Sequence, residues 1–334
     1  MIRFAAQRLL QAVPVVAGLI LLLFVWLRAL PGNPAQALLG EMATPEAVAR
    51  INAQYGLDRP VLEQFWLYLK RLAVFDFGDA ITTGEDVVSS FLTRFPATVE
   101  LAVAAMLFAV VIGIPVGYFA ANHRGGIVDG VAVGGSLFGV VVPVFFLAYM
   151  LKWIFALKLG WFPTAGRQNP RIDATHYTGL YVLDGILTGE WDAAWDATVH
   201  LVLPAVALGA IPLAMIVRIT KASVLDAISE DYVRTARAKG LPPRTVSFRH
   251  VLRNALLPVV TIIGLQTGAL LAGAVLTETV FALNGVGNFL FEAINQLDYP
   301  VLQAYILFIA LIYVVINLLV DMSYGAIDPR ARLA

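Results

Sequence analysis

The sequence contains no cysteine, which excludes a disulfide-linked fold, a thiolate metal site and a cysteine nucleophile. Charged residues are also scarce: they make up 14% of the 334 residues, where soluble domains carry about 25%. The 23 basic and 23 acidic side chains cancel, so the chain has no net charge to keep it soluble or to attract nucleic acid. With 59% hydrophobic residues and a mean hydropathy of +0.79, the composition favours a protein that lies in lipid.

Six stretches without Asp, Glu, Lys or Arg are long enough to cross a hydrocarbon layer about 30 Å thick as helices. They cover residues 9–27, 101–121, 130–151, 201–217, 254–277 and 299–320. The stretches are continuously apolar and do not alternate, which favours helices over the strands of a membrane barrel. The sequence therefore predicts an all-α, polytopic membrane protein with six transmembrane helices.

Prolines and glycines inside these stretches predict how the helices bend and pack. Pro143 is one of several prolines that we expect to kink a span. Two glycine pairs at a spacing of four residues, Gly113 with Gly117 and Gly264 with Gly268, predict helices that approach closely. These features indicate a packed bundle and carry no information on function.

The charges that cancel over the whole chain are predicted to lie unequally on the two sides of the membrane. When alternate connections are assigned to alternate sides, the side with both termini receives 13 basic and 6 acidic residues. The opposite side receives 10 basic and 17 acidic residues. Since short basic connections stay in the cytoplasm, we expect both termini and the connection over residues 218–253 to be cytoplasmic.

The connection over residues 218–253 holds eight of those 13 basic residues and the signals of a short helix. Two acidic residues begin the helix, two basic residues end it, Gly240 occupies the C′ position, and two prolines prevent continuation. A second helix is expected to start at Pro243 and to reach the fifth span at Pro258. The pattern predicts a rigid docking element outside the membrane, and a solvated basic loop that only maintains topology is the alternative.

Two helix starts are predicted in the long connection after the first span. Thr44-Pro45-Glu46 combines a capping hydroxyl, a proline at N1 and an acid in the first turn, and Asp58-Arg59-Pro60 is similar. After the second start, an apolar stripe recurs at helical spacing, and it either lies on the membrane surface or packs on the bundle. The stripe consists of Val61, Leu62, Phe65, Trp66 and Leu69.

Several chemical motifs are absent from the sequence. There is no Gly-x-x-x-x-Gly-Lys-Ser/Thr loop for ATP phosphates and no His-Glu-x-x-His pair, so no catalytic residue and no metal site are predicted. No ionisable side chain lies in the middle of a charge-free stretch, which counts against an ion-coupled carrier and an intramembrane enzyme. A bundle with a docking helix and no energy source of its own indicates a translocation subunit that a partner drives.

The docking element resembles a motif of a known family. Residues 231–241 read Asp-Tyr-Val-Arg-Thr-Ala-Arg-Ala-Lys-Gly-Leu, and residues 250–258 read His-Val-Leu-Arg-Asn-Ala-Leu-Leu-Pro. These segments resemble the coupling motif of membrane permease subunits of ABC importers in the dipeptide/oligopeptide/nickel family. Arg234-Thr235-Ala236 stands where other importer permeases begin with Glu-Ala-Ala, and Gly240 keeps the spacing. Shorter pieces fit the same family in order, at residues 30–34, 55–60, 77–79, 160–166, 276–279 and 328–330.

The resemblance implies a type I ABC importer permease fold in a bacterial cytoplasmic (inner) membrane. It implies a heterodimer with a second homologous permease, two ABC ATPase subunits that hold ATP and Mg²⁺, and an extracytoplasmic substrate-binding protein. This chain would bind no cofactor and no nucleic acid, would catalyse no reaction, and would form half of a pathway for di- or oligopeptides. Nickel chelates, glutathione and oligosaccharides are alternatives within the family, and a partner-independent carrier or channel is the alternative outside it.

Two groups of candidate site residues follow. By the resemblance, the helix that would couple to the ATPase contains Asp231, Tyr232, Arg234, Thr235, Ala236, Arg237, Lys239 and Gly240. Three polar residues of the fifth span, Thr261, Gln266 and Thr267, either line the pathway or form ordinary hydrogen bonds between helices. Glu278, just beyond the outer end of that span, either meets substrate or caps structure.

The predicted domain organisation has four parts. An N-terminal transmembrane helix (residues 1–30) precedes an extracytoplasmic loop with short helices (31–96), a transmembrane core (97–323) and a cytoplasmic tail (324–334). The core includes an extracytoplasmic loop over residues 152–200 and a cytoplasmic coupling loop over residues 218–257.

Overall fold

The computed structural model describes residues 2–29, 34–39 and 43–327. Over these residues the chain is helical and contains no β-strand, which agrees with the all-α prediction. The last seven residues of the predicted tail, the family piece at 328–330 and most of the piece at 30–34 lie outside the described residues.

The described helices range from short connecting segments to two helices of 36 and 39 residues. In chain order they are α1 (Ile2–Ala29), α2 (Pro34–Leu39), α3 (Pro45–Tyr55), α4 (Val61–Ala73), α5 (Val87–Asn122), α6 (Ile127–Val141), α7 (Val144–Leu151), α8 (Tyr181–Thr188), α9 (Trp191–Ser229), α10 (Asp231–Ala238), α11 (Pro243–Thr245), α12 (Arg253–Gly273), α13 (Val275–Phe281), α14 (Val286–Gln296) and α15 (Tyr299–Ile327). Two π-helical segments continue this order, Lys152–Lys158 after α7 and Val246–Leu252 before α12.

Five of the described helical segments are long and apolar enough to cross a membrane. They are Leu10–Ala29, Val87–Asn122, Trp191–Ser229, Pro243–Leu271 and Tyr299–Val320. The remaining predicted span, third in the chain, is divided into α6 and the helix that starts with α7, and the two halves meet at an angle of 105°. When this bent pair is counted as one broken span, the described residues contain the six predicted spans.

The break between α6 and α7 lies at Val142 and Pro143, where the sequence predicted only a kink. Val142 has an extended backbone with ψ of 124°, because the ring of the following proline disfavours the helical conformation. Pro143 then precedes the first turn of α7, where its missing N–H is not needed by the helix. The third span is therefore two half-length helices and not one bent rod.

The helices α5 and α9 extend well beyond the charge-free stretches that predicted them. α5 begins at Val87 instead of residue 101, and α9 is likewise longer than the fourth predicted span. Some of the charged residues in these extensions have ion-pair partners. Glu100 of α5, for example, forms an ion pair with Arg167 at 2.7 Å.

α5 and α9 form the centre of the bundle, and α6, α7 and α12 pack against α9. A Cβ atom added to Gly117 of α5 would lie 2.6 Å from the carbonyl oxygen of Val217 on α9. A Cβ atom added to Gly209 of α9 would lie 2.7 Å from the carbonyl oxygen of Ala105 on α5. Neither position has space for a side chain, which confirms the close contact predicted from the first glycine pair.

The second glycine pair has the same role between α12 and α15. A Cβ atom at Gly264 would lie 2.6 Å from the side chain of Val320, and one at Gly268 would lie 2.8 Å from the ring of Tyr313. The spacing of four residues therefore predicted a helix contact in both cases.

Two short helices after α1 begin close to where the sequence predicted. The hydroxyl oxygen of Thr44 caps α3 by accepting a hydrogen bond from Ala47 N–H at 3.3 Å. The second predicted start leads into α4, but its cap does not come from Asp58. Pro60 is the N-cap residue of α4, and no side chain caps this end of the helix.

The apolar stripe of α4 packs on the bundle along one edge only. Phe65 packs against Phe24 of α1, with ring centroids 4.8 Å apart. Leu62 and Trp66, on the other edge, are 84% and 59% exposed. The stripe therefore fastens α4 to α1 and still leaves large apolar side chains uncovered.

Replacing Gly117 with valine is expected to destabilise the bundle, because the new side chain would collide with the backbone of α9. Overpacking of this kind costs about 1–3 kcal/mol, and unfolding of the purified chain in a detergent–denaturant titration measures it. Gly134→Val is the matched control, since nothing lies within 4 Å of a Cβ atom at Gly134 of α6. An equal loss of stability in both variants would contradict the close α5–α9 contact.

Candidate functional site

The predicted docking element is present as α10, and a single residue joins it to the central helix α9. Glu230 is both the C-cap of α9 and the N-cap of α10, and its extended backbone (φ −71°, ψ 146°) separates the two helices. There is almost no connecting loop between them.

The end of α10 is closed by the backbone around Gly240. Gly240 has a φ of +73°, and its N–H donates to the Arg237 carbonyl at 2.9 Å. The N–H of Leu241 donates to the Ala236 carbonyl at 3.4 Å. These two bonds form a Schellman motif, which satisfies the last carbonyls of a helix and favours glycine at C′. The predicted position of Gly240 is confirmed, and the chain restarts as a helix at Pro243, as predicted.

A small apolar cluster holds α10 against its own chain. Val233 is fully buried and Ala236 is 5% exposed. They pack among the ends of α5 and α9 and the segment that leads into α12, at Ala121, Val224, Ala227, Val246, Val251 and Ala255. Ala236, which the sequence assigned to ATPase coupling, therefore lies on the attached side of the helix and seats it.

The other residues of α10 and of its C-terminal cap are exposed. They include the other seven predicted coupling residues, here termed the coupling face: Asp231, Tyr232, Arg234, Thr235, Arg237, Lys239 and Gly240. Arg234 and Asp231 form an exposed ion pair at 3.4 Å, and a pair of this kind contributes little to stability. The basic side chains of the coupling face are therefore accessible to a partner surface.

The hydroxyl groups of the predicted pathway residues on α12 bond within their own helix. Thr267 donates to the Ile263 carbonyl at 2.7 Å, and Thr261 donates to the Leu257 carbonyl at 3.4 Å. Such bonds satisfy a hydroxyl without a neighbouring helix or a ligand. Gln266, between them, is half-buried. The bonds of both threonines run within the helix and not between helices.

Glu278 is completely buried and caps a neighbouring helix. Its carboxylate accepts hydrogen bonds from the Thr98 hydroxyl at 2.6 Å and from Asn288 N–H at 3.0 Å. The Thr98 oxygen in turn accepts from Val286 N–H at 3.0 Å. The two side chains thus satisfy free N–H groups at the N-terminus of α14. A Cβ atom at Gly285 would collide with the carboxylate, so the position supports capping and leaves no room for substrate in this conformation.

Sequence reasoning missed a buried ion pair at the same end of the bundle. The side chains of Arg167 and Glu100 are 11% and 9% exposed and lie 2.7 Å apart. Arg167 also donates to the Gly179 carbonyl at 2.6 Å, and Glu100 accepts from Val182 N–H at 2.7 Å. The pair therefore fastens α8 and the loop before it to α5. Glu100 stands at the border of a charge-free stretch, but nothing in a single sequence identifies Arg167 as its partner.

Two further buried carboxylates hold the loops at this end. Asp184 accepts hydrogen bonds from the N–H and the hydroxyl of Thr178 at 3.0 and 2.8 Å. Asp298 accepts from the N–H and the hydroxyl of Thr82 at 2.9 and 2.8 Å, and also from Val301 N–H at 3.3 Å. Both aspartates are fully buried, so they organise the structure and do not face a ligand.

Comparison with known protein families decides what kind of bundle this is. Residues 113–333 match the family described as binding-protein-dependent transport system inner membrane component. Residues 1–102 match the N-terminal membrane component described for the same transport systems. The chain belongs to this family. The two matches together include α9, α10 and all of α5 except residues 103–112, so the docking element lies within the part of the chain that matches the family.

Two curated relatives match along almost their whole length. The dipeptide transport system permease protein DppB of Alkalihalophilus pseudofirmus is 45% identical over 332 residues, which cover 99% of this chain and 100% of the relative. The di/tripeptide transport system permease protein DppB of Pseudomonas aeruginosa is 45% identical over 333 residues, which cover 99% of each. These matches confirm the family resemblance that the coupling motif suggested.

A solved transporter structure matches the fold of this permease. A chain of the MetNI methionine ABC transporter, in an inward-facing conformation, aligns with a TM-score of 0.51 and 16% identity. The alignment covers 71% of this chain and 96% of that chain. At this identity the likeness concerns the fold alone, and it confirms the predicted type I ABC importer permease fold. The permease is thus a multi-pass membrane protein.

Val233→Asp is expected to detach α10, because it would bury an unpaired carboxylate in the cluster beneath the helix. Trypsin should then cleave the intact permease faster at Arg234 and Arg237, about tenfold for each 1.4 kcal/mol of lost local stability. Tyr232→Asp, on the exposed face of the same helix, is the control and should leave cleavage nearly unchanged. Equal cleavage rates in the two variants would show that Val233 does not seat α10.

Glu278→Ala is expected to loosen α14, because it removes the acceptor for two buried donors. Leaving such donors unsatisfied costs about 1–3 kcal/mol, which should appear as faster hydrogen exchange of the α14 amides. Glu292→Ala is the control, since Glu292 is exposed on the same helix. Unaltered exchange in Glu278→Ala would argue against the capping role.

Proposed function

We propose that this permease is a subunit of an ATP-driven importer of di- or short oligopeptides and that it forms half of the membrane pathway. The observation that carries the proposal is the joint between α9 and α10. A capped, exposed and basic helix is attached through one residue to the longest helix of the bundle. The relatives described as dipeptide and di/tripeptide permeases support the peptide as substrate class.

In this proposal the energy source lies on partner subunits. Two ATPase subunits bind ATP and Mg²⁺ and dock on the coupling face, while this chain binds no cofactor and catalyses no reaction. A second, homologous permease completes the pathway as a heterodimer, and a substrate-binding protein delivers the peptide from outside. The lack of a phosphate-binding loop in the sequence supports an ATPase on a separate chain.

The coupling face is suited to pass movement of an ATPase into the bundle. α10 ends in a defined cap and is seated by Val233, so it moves as a rigid body. α9 has 39 residues, which at 1.5 Å per residue corresponds to about 58 Å. A tilt at one end of such a helix is carried across the whole membrane. Basic side chains on the coupling face would meet acidic groups of the ATPase and fix its register.

The proposed orientation has α10 and both termini in the cytoplasm and the permease in a bacterial cytoplasmic (inner) membrane. The excess of basic residues in the connections on the α10 side supports it. The end with the buried carboxylates then faces the substrate-binding protein. The binding protein selects the substrate before it reaches the permease.

Uptake of a labelled dipeptide into vesicles that contain the complete transporter tests the function. We expect uptake that requires ATP, the ATPase subunits and the binding protein. Labelled nickel chelates, glutathione and oligosaccharides are measured in parallel, and preferential uptake of one of them would replace the peptide as substrate. Uptake by this chain alone, without ATP or partners, would favour a carrier or channel and overturn the proposal.

Gly240→Val is expected to abolish ATP-dependent uptake while the protein stays in the membrane. A β-branched residue is strongly disfavoured at a φ of +73°, so the end of α10 must change although a Cβ atom there meets open space. Gly240→Asn is the matched control and should keep most of the uptake, because asparagine tolerates this conformation. Normal uptake by Gly240→Val would refute the coupling role.

A further inference from the structure

A polar cavity with no role in the coupling described above lies near the start of α5. It has a volume of about 460 Å³ and lies between the start of α5, the start of α8 and the turn before α14. Two arginines, two carboxylates and the hydroxyl groups of two serines and a threonine line it. A cavity of this size is large enough for a small organic ligand, since ligand pockets are about 300–1,000 Å³.

The cavity and α10 lie at opposite ends of the bundle. Ser90 lines the cavity, and Ala121 packs beneath α10, and both belong to α5. They are 31 positions apart in the helix, which corresponds to about 46 Å. The hydrocarbon layer, about 30 Å thick, therefore separates the cavity from the coupling face.

The two arginines of the cavity are largely buried and have donors to spare. The side chain of Arg94 is 15% exposed, its Nη2 pairs with Glu85 at 3.2 Å, and its Nη1 donates to the carbonyl and hydroxyl oxygens of Ser90. Its Nε atom is buried without a hydrogen-bond partner among the described residues. Arg167 uses the single atom Nη2 for its hydrogen bonds to Glu100 and the Gly179 carbonyl. Two guanidinium groups of this kind attract a carboxylate strongly.

Two carboxylates at the rim balance the charge of the arginines. Glu85 and Asp86 line the same cavity and are exposed. Asp86 uses one oxygen to cap α5 by accepting from Ser89 N–H at 2.7 Å, and a carboxylate has further lone pairs for an ammonium group. The lining carries two positive and two negative side chains, and Glu100, outside the lining, is a third carboxylate that pairs with Arg167. The cavity therefore complements a ligand that carries one charge of each sign better than it complements an anion.

We propose that this cavity is a transient binding site for the charged termini of a short peptide. The peptide carboxylate would lie at Arg94 and Arg167, and its ammonium group would lie at Glu85 and Asp86. A dipeptide spans at most about 7 Å, so both termini fit within one such cavity. Because every unmodified dipeptide carries these two charges, the site would accept peptides regardless of their side chains. The inference rests on the proposed function, since it takes the substrate to be a peptide.

The absence of cysteine from the chain makes the cavity directly testable. Thr93→Cys introduces one thiol at an exposed residue of the lining, and its reaction with N-ethylmaleimide is followed on this chain in vesicles with the complete transporter. Alanyl-alanine should protect the thiol, whereas N-acetyl-alanyl-alanine amide, which lacks both charges, should not. For a Kd of about 1 mM, a dipeptide concentration of ~10 mM slows labelling about tenfold.

Control variants separate occupation of the cavity from indirect effects. Thr83→Cys is exposed at the same end but outside the lining, so neither peptide should change its labelling. Adding Glu85→Gln or Asp86→Asn to Thr93→Cys should raise the dipeptide concentration needed for protection by a few-fold. Asparagine keeps the cap of α5, so the second variant removes the charge without removing the cap. If Thr93→Cys impairs assembly, Ser89→Cys replaces it, because Ser89 is also exposed in the lining.

Uptake of labelled dipeptide is also measured in vesicles that contain the unsubstituted chain. This measurement tests the proposed function separately from the assignment of the cavity. Uptake without protection of Thr93→Cys, or equal protection by the blocked peptide, would overturn the assignment of the cavity and leave the proposed function intact. A lack of ATP-dependent uptake would instead overturn the proposed function, and the inference with it.

Discussion

The close contact between α5 and α9 is the constraint on which the other parts of the structure depend. Glycines such as Gly117 and Gly209 place no side chain at this contact, so that two helices of 36 and 39 residues pack closely against each other. α9 carries α10 at one end, and α5 carries the buried polar groups around Glu100 at the other. A close-packed contact of this kind has few alternative arrangements.

The end of the bundle opposite α10 depends on a different interaction, which is repeated at three helices. In each case a buried carboxylate accepts a hydrogen bond from a backbone N–H in the first turn of a helix, where N–H groups lack partners and the helix end is partly positive. The pairs are Glu100 with Val182 of α8, Glu278 with Asn288 of α14, and Asp298 with Val301 of α15. The two short helices of this set, α8 and α14, are thus held by bonds between side chains and backbone in addition to their apolar contacts.

The features that could be predicted from the sequence are those that depend on neighbouring residues. Gly240 predicted the end of α10 and Thr44 predicted the start of α3, because a cap involves one turn of chain. The burial of Ala236 could not be predicted, since it depends on the ends of other helices that surround α10. The role of Glu278 was left open for the same reason, because its partner Thr98 lies 180 residues away in the chain. The charge-free stretches predicted the apolar parts of the helices. They did not predict where α5 begins or where α9 begins and ends, because these helices continue into segments that contain charged residues.

The break between α6 and α7 has a consequence for how the chain is inserted into the membrane during synthesis. α6 has 15 residues, which as a helix measures about 22 Å, and the half that starts with α7 is of similar length. Neither half alone is long enough to cross a hydrocarbon layer about 30 Å thick. The two halves must therefore enter the bilayer together as one unit. If both halves were long enough to cross independently, the pair would contribute two crossings instead of one, and every helix from α8 onward would have the inverted topology.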